Sequence, residues 1–286
     1  MTITVLGALL LTALLAFVSR TVTGFGDAAR AAEEAVDEQA RVELLALGWQ
    51  PPGSGALRAL HAELAVSRGV ELLHVGQRFR IELGDRTLRG EPADEAPLAA
   101  ATVLLADELT LYPPAFLRRI GLRRVALCGG LSENGLPIPS LPNYRHTLLI
   151  DVAGEPAFLR RLVHHEVFHF ADLADDGEVL WDPEWDRLNP PDFEYGHGGR
   201  DMRQPGVSAL SDDLPGFLTR YATSALEEDK AEVFAFLMAR PGEVERRAAR
   251  DTVLAGKVAR VRAIVLGLDP AMDATFWARV AESRSR

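Results

Sequence analysis

The chain has 286 residues, of which 48% are hydrophobic and 25% charged, an ordinary globular composition for one large or two small domains. Its single cysteine, Cys128, excludes an internal disulfide framework and a thiolate-only zinc site, because both need at least two sulfurs. The formal net charge of −10 argues against nucleic acid as a partner. Any metal site must therefore use histidine and carboxylate, and three of the seven histidines fall within six residues.

The chain begins with an uncharged apolar segment, residues 3–18. This segment has the length of a signal-peptide core and is shorter than the ~20 residues that a membrane-spanning helix usually needs. We predict that residues 1–26 form a signal peptide or a membrane anchor, with both forms left open, and that the protein is exported or associates with a membrane. A buried helix of a cytoplasmic protein is the alternative reading of the same segment.

Residues 27–97 are predicted to form an N-terminal helical and α/β region, to which the sequence assigns no role. Residues 27–47 are rich in alanine, glutamate and arginine and predict a solvated helix. The pattern up to Leu88 indicates another helix and two short strands, with a turn at Gly84-Asp85. Residues 90–97 contain two prolines and three acids, so we predict a linker and a domain boundary there.

Residues 98–286 are predicted to form one α+β domain, mainly helical with a small sheet. The pattern predicts, in order, a helix over residues 98–112, a strand over 123–129, a loop rich in glycine and proline over 130–143, and a strand over 146–152. A further helix is expected to begin near Pro156, because proline is favoured in a first helical turn.

The histidine cluster lies on that last helix, where His165 and His169 stand four residues apart. Residues at i and i+4 share one helix face, so the two imidazoles can bind one ion. With Glu166 between them they form the H-E-x-x-H arrangement, in which the histidines bind zinc and the glutamate is a general base. About 0.01 matches are expected by chance at this composition. Two helix histidines without a metal are the alternative.

The neighbouring His164 is directed about 100° away from His165 on the helix. The residue four positions further along from it is Phe168, which cannot bind a metal. We therefore expect His164 to pack in the interior or to support a ligand rather than to bind the ion.

A catalytic zinc site usually has three protein ligands, so one more is required. An extended motif would place a glycine and a third histidine after His169, but those positions hold Asp172 and Asp175. Asp175 therefore remains only as an alternative ligand.

A helix further along the chain offers a glutamate as the third ligand. Ser224 and Glu227 match a capping box and predict a helix from Ser224 to about Arg240. Glu228 and Glu232 share one stripe of this helix beside apolar faces, where burial is costly unless a cation neutralises them. A solvated acidic face at a helix N-terminus is the alternative. We favour Glu228 as the third ligand and Glu232 as a supporting partner or fallback ligand.

The residues from His165 to His169, Tyr221 seven positions before Glu228, and the run from Glu228 to Phe234 resemble the gluzincin metallopeptidases. Among these, they are similar to small bacterial zinc-binding metallopeptidases related to the catalytic domain of anthrax lethal factor. The resemblance covers residues 98–240. It implies a zincin-like fold, Zn²⁺ as cofactor, Glu228 as third ligand, and Tyr221 as the group that stabilises the oxyanion. Lys230 stands where the family more often has an aromatic or apolar residue.

The activity implied by this resemblance is peptide-bond hydrolysis by a zinc-activated water, with Glu166 as general base and a peptide or protein as substrate. Tyr195 and His197, in a loop rich in glycine, are rival electrophiles or substrate contacts, although the glycines favour a flexible wall of the cleft. The alternative function is a membrane-tethered zincin-fold module for binding or regulation. The presence of Glu166 argues against it, because a structural site has no use for a base.

Overall fold

The computed structural model describes residues 35, 37–53, 55–199, 202 and 206–285. The apolar segment of residues 3–18, and with it the predicted signal peptide or anchor, lies outside the described residues. Within them, no helix combines the length and hydropathy that a membrane crossing requires. The chain divides into two compact units, Met1–Leu47 and Gly48–Arg286. In the first unit, residues 37–46 form helix α1, which agrees with the helix predicted for that segment.

The strands of the second unit form one mixed sheet around a long central strand. That strand, β5, pairs in parallel with β2 and β8 and antiparallel with β4 and β6. β1, β3 and β7 extend the sheet by antiparallel pairing with β2, β4 and β8. The strands are β1 (Trp49–Gln50), β2 (Glu71–Val75), β3 (Phe79–Leu83), β4 (Arg86–Glu91), β5 (Arg124–Glu133), β6 (Leu136–Pro137), β7 (Ser140–Tyr144) and β8 (Thr147–Asp151).

Helices precede, interrupt and follow the sheet in the sequence, and most of those after β8 pack against one another in one helical region. Counting α1, the described residues contain ten α-helices in addition to the strands. This mixture of helices and strands agrees with the predicted α+β class. The helices of the second unit are α2 (Gly55–Arg68), α3 (Glu95–Thr110), α4 (Phe116–Arg119), α5 (Pro156–Asp176), α6 (Pro183–Asp186), α7 (Leu226–Ala239), α8 (Pro241–Ala248), α9 (Thr252–Leu268) and α10 (Ala274–Ser283).

Helix α5 lies at the centre of the helical region and contacts α3, α7 and α9. It begins at Pro156, as predicted, and ends before Gly177, whose φ of 85° is left-handed and therefore suited to glycine. Its apolar residues join the main hydrophobic core, where the rings of Phe168 and Phe234 lie 5.1 Å apart and connect α5 with α7. This packing fixes the positions of the two helices that carry the predicted ligands.

The segment of residues 130–143 is not the loop that its glycines and prolines predicted. β5 continues to Glu133, and the segment then forms β6 and β7. Proline is tolerated in edge strands because its missing N–H need not enter the ladder, and Pro137 and Pro142 occupy such strands. The sheet is consequently larger than the small one predicted.

The predicted linker of residues 90–97 is largely occupied by regular structure. Its first residues belong to β4 and its last to α3. Gly90 pairs with Phe79 in the β3–β4 ladder, and the Phe79 ring leaves no room for a side chain there, because a Cβ at Gly90 would lie 2.5 Å from that ring. Strands from both sides of residue 97 pair in one sheet, so the second compact unit extends across this position.

Candidate metal centre

The structure brings His165, His169 and Glu228 together between α5 and α7. Nε2 of His165 lies 3.0 Å from Oε2 of Glu228, and Nε2 of His169 lies 3.6 Å from the same oxygen. The two Nε2 atoms are 3.2 Å apart. One ligand atom from each residue thus lies within 4.8 Å of the others, which is close enough for a single ion to contact all three.

The donor set of two imidazole nitrogens and one carboxylate fits the residues that catalytic zinc sites use. Other divalent transition metals accept the same donors, so the preference for zinc rests on the resemblance rather than on the geometry. Asp175, the alternative ligand, is exposed on α5 and does not belong to this group.

Glu232 is placed as the hydrogen-bond partner of a ligand, on the other side of the His165 ring from Glu228. Its Oε1 lies 3.0 Å from Nδ1 of His165. If Nδ1 carries the proton, the lone pair of Nε2 faces Glu228, which is the tautomer that a metal ligand needs. Glu232 is fully buried and is itself held by an ion pair with Arg161 and a 2.7 Å hydrogen bond from the Thr219 hydroxyl.

The charges of the site favour a cation at the point where the three residues meet. Burial alone would lower the pKa of His165, but Glu228 and Glu232 outweigh it and raise this pKa to about 10. Burial would raise the pKa of Glu228, but the hydrogen bond from His165 and the close approach of His169 hold it far below its usual range. A proton on His165 thus balances part of the carboxylate charge, and a metal ion bound at the same point would displace that proton and neutralise the carboxylates in its place.

The capping box predicted at Ser224 is wrong. α7 begins at Leu226, its N-cap is Ala225, and no side chain caps it. The Ser224 hydroxyl instead donates to the carbonyl of Tyr221 at 2.7 Å and closes a short 3₁₀ turn over Tyr221–Thr223. A serine hydroxyl can satisfy a nearby carbonyl as readily as a helix N–H, and the local turn prevails here.

Tyr221 reaches from that turn to the candidate centre. Its hydroxyl donates a 2.9 Å hydrogen bond to Oε1 of Glu228, the oxygen that does not face the histidines. Burial, together with the negative charge of Glu228, raises the pKa of Tyr221 well above its usual value, so it keeps its proton at neutral pH. Tyr221 is therefore a neutral hydrogen-bond donor, whose single O–H is directed to Glu228 in this structure.

Glu166, the predicted base, lies beside the ligands with one oxygen held and the other unpartnered. Ser140 of β7 donates a 2.6 Å hydrogen bond to its Oε1. Oε2 is buried and has no hydrogen-bond partner among the described residues. Ser140 and Glu166 both line a cleft of about 890 Å³, whose wall also includes the three candidate ligands and Tyr221. An unpartnered carboxylate oxygen in such a cleft can accept a proton.

His164 lies away from the centre, as predicted. It is fully buried, with Nε2 3.0 Å from Oε2 of Glu108 and Nδ1 2.7 Å from the hydroxyl of Tyr112. Burial lowers the pKa of His164 in spite of the nearby Glu108 charge. A neutral imidazole donating to Glu108 and accepting from Tyr112 satisfies both ring nitrogens, so this residue connects α5 to the α3 region.

The two predicted loop residues occupy different environments. The hydroxyl of Tyr195 donates to Oδ2 of Asp229 at 2.7 Å and accepts from Nε1 of Trp185 at 3.0 Å, so it serves an interior network rather than the cleft. His197 is exposed and lines the cleft. Of the two, His197 is the one placed to meet a substrate.

An ion pair that the sequence did not predict joins the two ligand-bearing helices. Nζ of Lys230 donates to Oδ1 of Asp172 at 2.6 Å, and both side chains are buried. Lys230 is the residue that departs from the resembled family, and Asp172 stands where an extended zinc motif would have glycine. The sequence did offer a signal for this contact, because Lys230 and Asp172 each depart from an expected pattern and carry opposite charges.

No protein-family model matches the chain, and comparisons with curated proteins and with solved structures give no significant match. The function must therefore be inferred from the residues of the site.

Proposed function

We propose that the protein is a zinc-dependent metallopeptidase with a zincin-like catalytic domain. The observation that carries the proposal is the convergence of His165, His169 and Glu228 beside the unpartnered Oε2 of Glu166 in one cleft. A site that served structure alone would have no use for a buried, unpaired carboxylate oxygen next to its ligands, because such an atom costs free energy.

His165, His169 and Glu228 would hold the ion, and Glu232 would orient His165 through Nδ1. A bound zinc ion supplies Lewis-acid chemistry, because it polarises carbonyl groups and makes water more acidic.

The chain's own residues provide the proton transfers. Oε2 of Glu166 accepts a proton from the attacking water as the water oxygen bonds to the peptide carbonyl carbon. Glu166 then gives this proton to the leaving nitrogen when the C–N bond breaks, and the carboxylate is restored. Tyr221 keeps its proton, and its O–H would turn from Oε1 of Glu228 to the carbonyl oxygen and donate to it as negative charge develops there.

The shape of the cleft supports a peptide as the substrate. β7 borders it, with Ser140 and Tyr144 among the lining residues, and pairs with β8 alone among the described strands. The other edge of β7 can therefore bind an extended chain by main-chain hydrogen bonds, a common mode of peptide recognition. The volume of about 890 Å³ accommodates several residues of such a chain.

The test measures zinc per chain and cleavage of a diverse peptide library for the full-length protein and two variants. We expect Glu166→Gln to retain zinc and lose cleavage, and Glu228→Ala to lose zinc. Glu178→Gln, an exposed acid on the surface, serves as the control and should behave as wild type. Stoichiometric zinc without cleavage of any peptide would favour the binding or regulatory module, and zinc retention by Glu228→Ala would refute the ligand assignment.

We further propose, from the apolar residues 3–18, that the protein is exported or membrane-anchored. Detergent phase partitioning of the tagged full-length chain tests this proposal. Recovery of an unprocessed chain entirely in the aqueous phase would overturn it.

A further inference from the structure

Three of the four residues from 196 to 199 are glycines, and two of them, Gly198 and Gly199, line the cleft together with His197. This glycine strip, Gly196–Gly199, runs beside the chain that leads into α7. The N–H of Gly196 donates to the carbonyl of Thr223 at 3.0 Å, and the N–H of Gly198 donates to the carbonyl of Ser224 at 2.9 Å. Two main-chain hydrogen bonds thus fix the strip against the segment between Tyr221 and α7.

Gly199 approaches the candidate centre more closely than a side chain would permit. A Cβ at this position would lie 2.2 Å from the hydroxyl oxygen of Tyr221 and 2.6 Å from Oε1 of Glu228. Carbon and oxygen atoms that are not bonded do not approach to such distances. The backbone of Gly199 therefore lies directly on the hydrogen bond that joins Tyr221 to Glu228.

Space, and not backbone conformation, is the reason for glycine at this position. Gly199 does not have a left-handed φ, so other residues could adopt its backbone conformation. Its neighbour Gly198 shows the opposite case, because its φ is 101° while nothing lies within 4 Å of an added Cβ. Each glycine of the pair is thus required for a different physical reason.

The atoms that an added methyl group would meet are themselves held in place. The N–H of Tyr221 donates to the carbonyl of Val207 at 2.9 Å, and its hydroxyl is bonded to Glu228. Glu228 also contacts Nε2 of His165. A side chain at Gly199 would therefore displace the Tyr221 hydroxyl, displace the Glu228 carboxylate, or lift the strip from its two hydrogen bonds.

We infer that Gly199 is a positioning residue, whose bare backbone keeps the Glu228 carboxylate and the Tyr221 hydroxyl in the arrangement that the metal centre needs. This inference rests on the proposed metal site and deepens it. The glycine strip acts on Glu228 from the side opposite the histidines, so the carboxylate is confined between the two.

The experiment compares Gly199→Ala with Gly267→Ala in the full-length protein. Gly267 is a matched control because it lies in α9, has no left-handed φ and has nothing within 4 Å of an added Cβ. Zinc affinity is measured by competition with a chromophoric chelator, and the ligand geometry by the visible absorption of bound Co²⁺. We expect Gly199→Ala to weaken zinc binding about 10-fold or more and to alter the Co²⁺ spectrum, with Gly267→Ala within about 2-fold of wild type.

A double variant separates positioning from a general loss of folding. Tyr221→Phe removes the atom closest to the added methyl group but leaves Cζ of the ring at 2.9 Å and Oε1 of Glu228 at 2.6 Å, so adding Gly199→Ala in that background should still weaken zinc binding, by about 3-fold, which is less than in the wild-type background. If Gly199→Ala alone does not fold, Tyr221→Phe must restore folding at least in part, because the closest overlap, that with the hydroxyl oxygen, is relieved.

Three results would count against the inference in distinguishable ways. Wild type that binds neither Zn²⁺ nor Co²⁺ would overturn the proposed function and the inference together. Metal binding by wild type with Gly199→Ala indistinguishable from Gly267→Ala would overturn the inference alone. An equal effect of Gly199→Ala in both backgrounds would overturn the part of the inference that concerns the Tyr221 hydroxyl, because it would leave the Glu228 carboxylate as the only group displaced.

Discussion

The hydroxyl of Ser140 donates a 2.6 Å hydrogen bond to Oε1 of Glu166. This contact joins β7 at the edge of the sheet to α5, the helix that carries both histidines. It occupies one carboxylate oxygen and leaves Oε2 without a partner in the described part of the chain. The strand that borders the cleft therefore also orients the proposed base.

Replacing Ser140 should reduce catalysis without affecting metal binding. We expect Ser140→Ala to lower kcat/KM about 10-fold, because Glu166 loses the contact that fixes its orientation. Ser140→Thr retains the hydroxyl and should stay within about 3-fold of wild type. Steady-state kinetics with zinc quantified in the same samples provides the measurement. Unchanged kinetics in Ser140→Ala would show that the hydrogen bond does not position the base.

Glu232 should control metal affinity although it is not a ligand. Glu232→Gln removes the charge beside Nδ1 of His165 and should weaken zinc binding about 10- to 100-fold. The exposed Glu178→Gln is the control for the loss of one negative charge. Titration against a chelator of known affinity measures both. Equal affinities in the two variants would exclude this role for Glu232.

The buried pair of Lys230 and Asp172 should show strong coupling in stability. Lys230→Met leaves the Asp172 carboxylate buried without its cation and should lower the free energy of unfolding by about 3 kcal/mol. Burial already raises the pKa of Asp172 to about 6 against the opposing charge of Lys230. Combining Lys230→Met with Asp172→Asn should recover most of the loss. Urea unfolding at pH 7 measures this, and additive effects would contradict a direct pair.

The buried Glu108, which contacts His164 and Arg284, should make the free energy of unfolding depend on pH in the acid range. Burial would raise the pKa of Glu108, but hydrogen bonds from His164 and Arg284 prevail and lower it from 4.5 to about 2. Its stabilising contribution is therefore complete above about pH 4.5 and is lost as the pH falls toward 2.

We expect Glu108→Gln to lower the free energy of unfolding by about 2 kcal/mol at pH 7, with the difference from wild type shrinking below pH 4.5. Glu95→Gln, at an exposed position of the same helix, should have little effect. Urea unfolding at several pH values gives the comparison. A difference that stays constant from pH 7 to pH 3 would mean that Glu108 is not stabilised as a carboxylate.

Local spacing predicted that His165 and His169 face one ion, whereas their meeting with Glu228 depends on the packing of α5 against α7. The four-residue interval between His165 and His169 requires a common helix face, and the H-E-x-x-H pattern identifies Glu166. Glu228 followed from the cost of burying acids, supported by the resemblance. Only the first of these inferences depends on helix geometry within a single helix, α5, which the sequence encodes directly.

Contacts that depend on tertiary packing could not be predicted in the same way. Ser140 lies in a segment whose prolines indicated a loop, because edge strands tolerate residues that central strands exclude. The pairing of Lys230 with Asp172 depends on how α5 faces α7. The close approach of Gly199 to Tyr221 depends on where the glycine strip lies against α7. Each involves residues far apart in the sequence, so local pattern alone does not reveal it.

β5 pairs with strands that come both before and after it in the sequence, and this affects how the chain folds as it is synthesised. Glu71 of β2 pairs with Arg124 of β5, roughly fifty positions later, and β8 joins later still. The early strands must therefore wait for β5 before the sheet can close, and such long-range closure is slow. A shortened chain beginning at residue 98 would lack both β2 and β4, leaving β5 with unpaired edges that favour aggregation. The first strands thus protect the folding chain as well as complete its sheet.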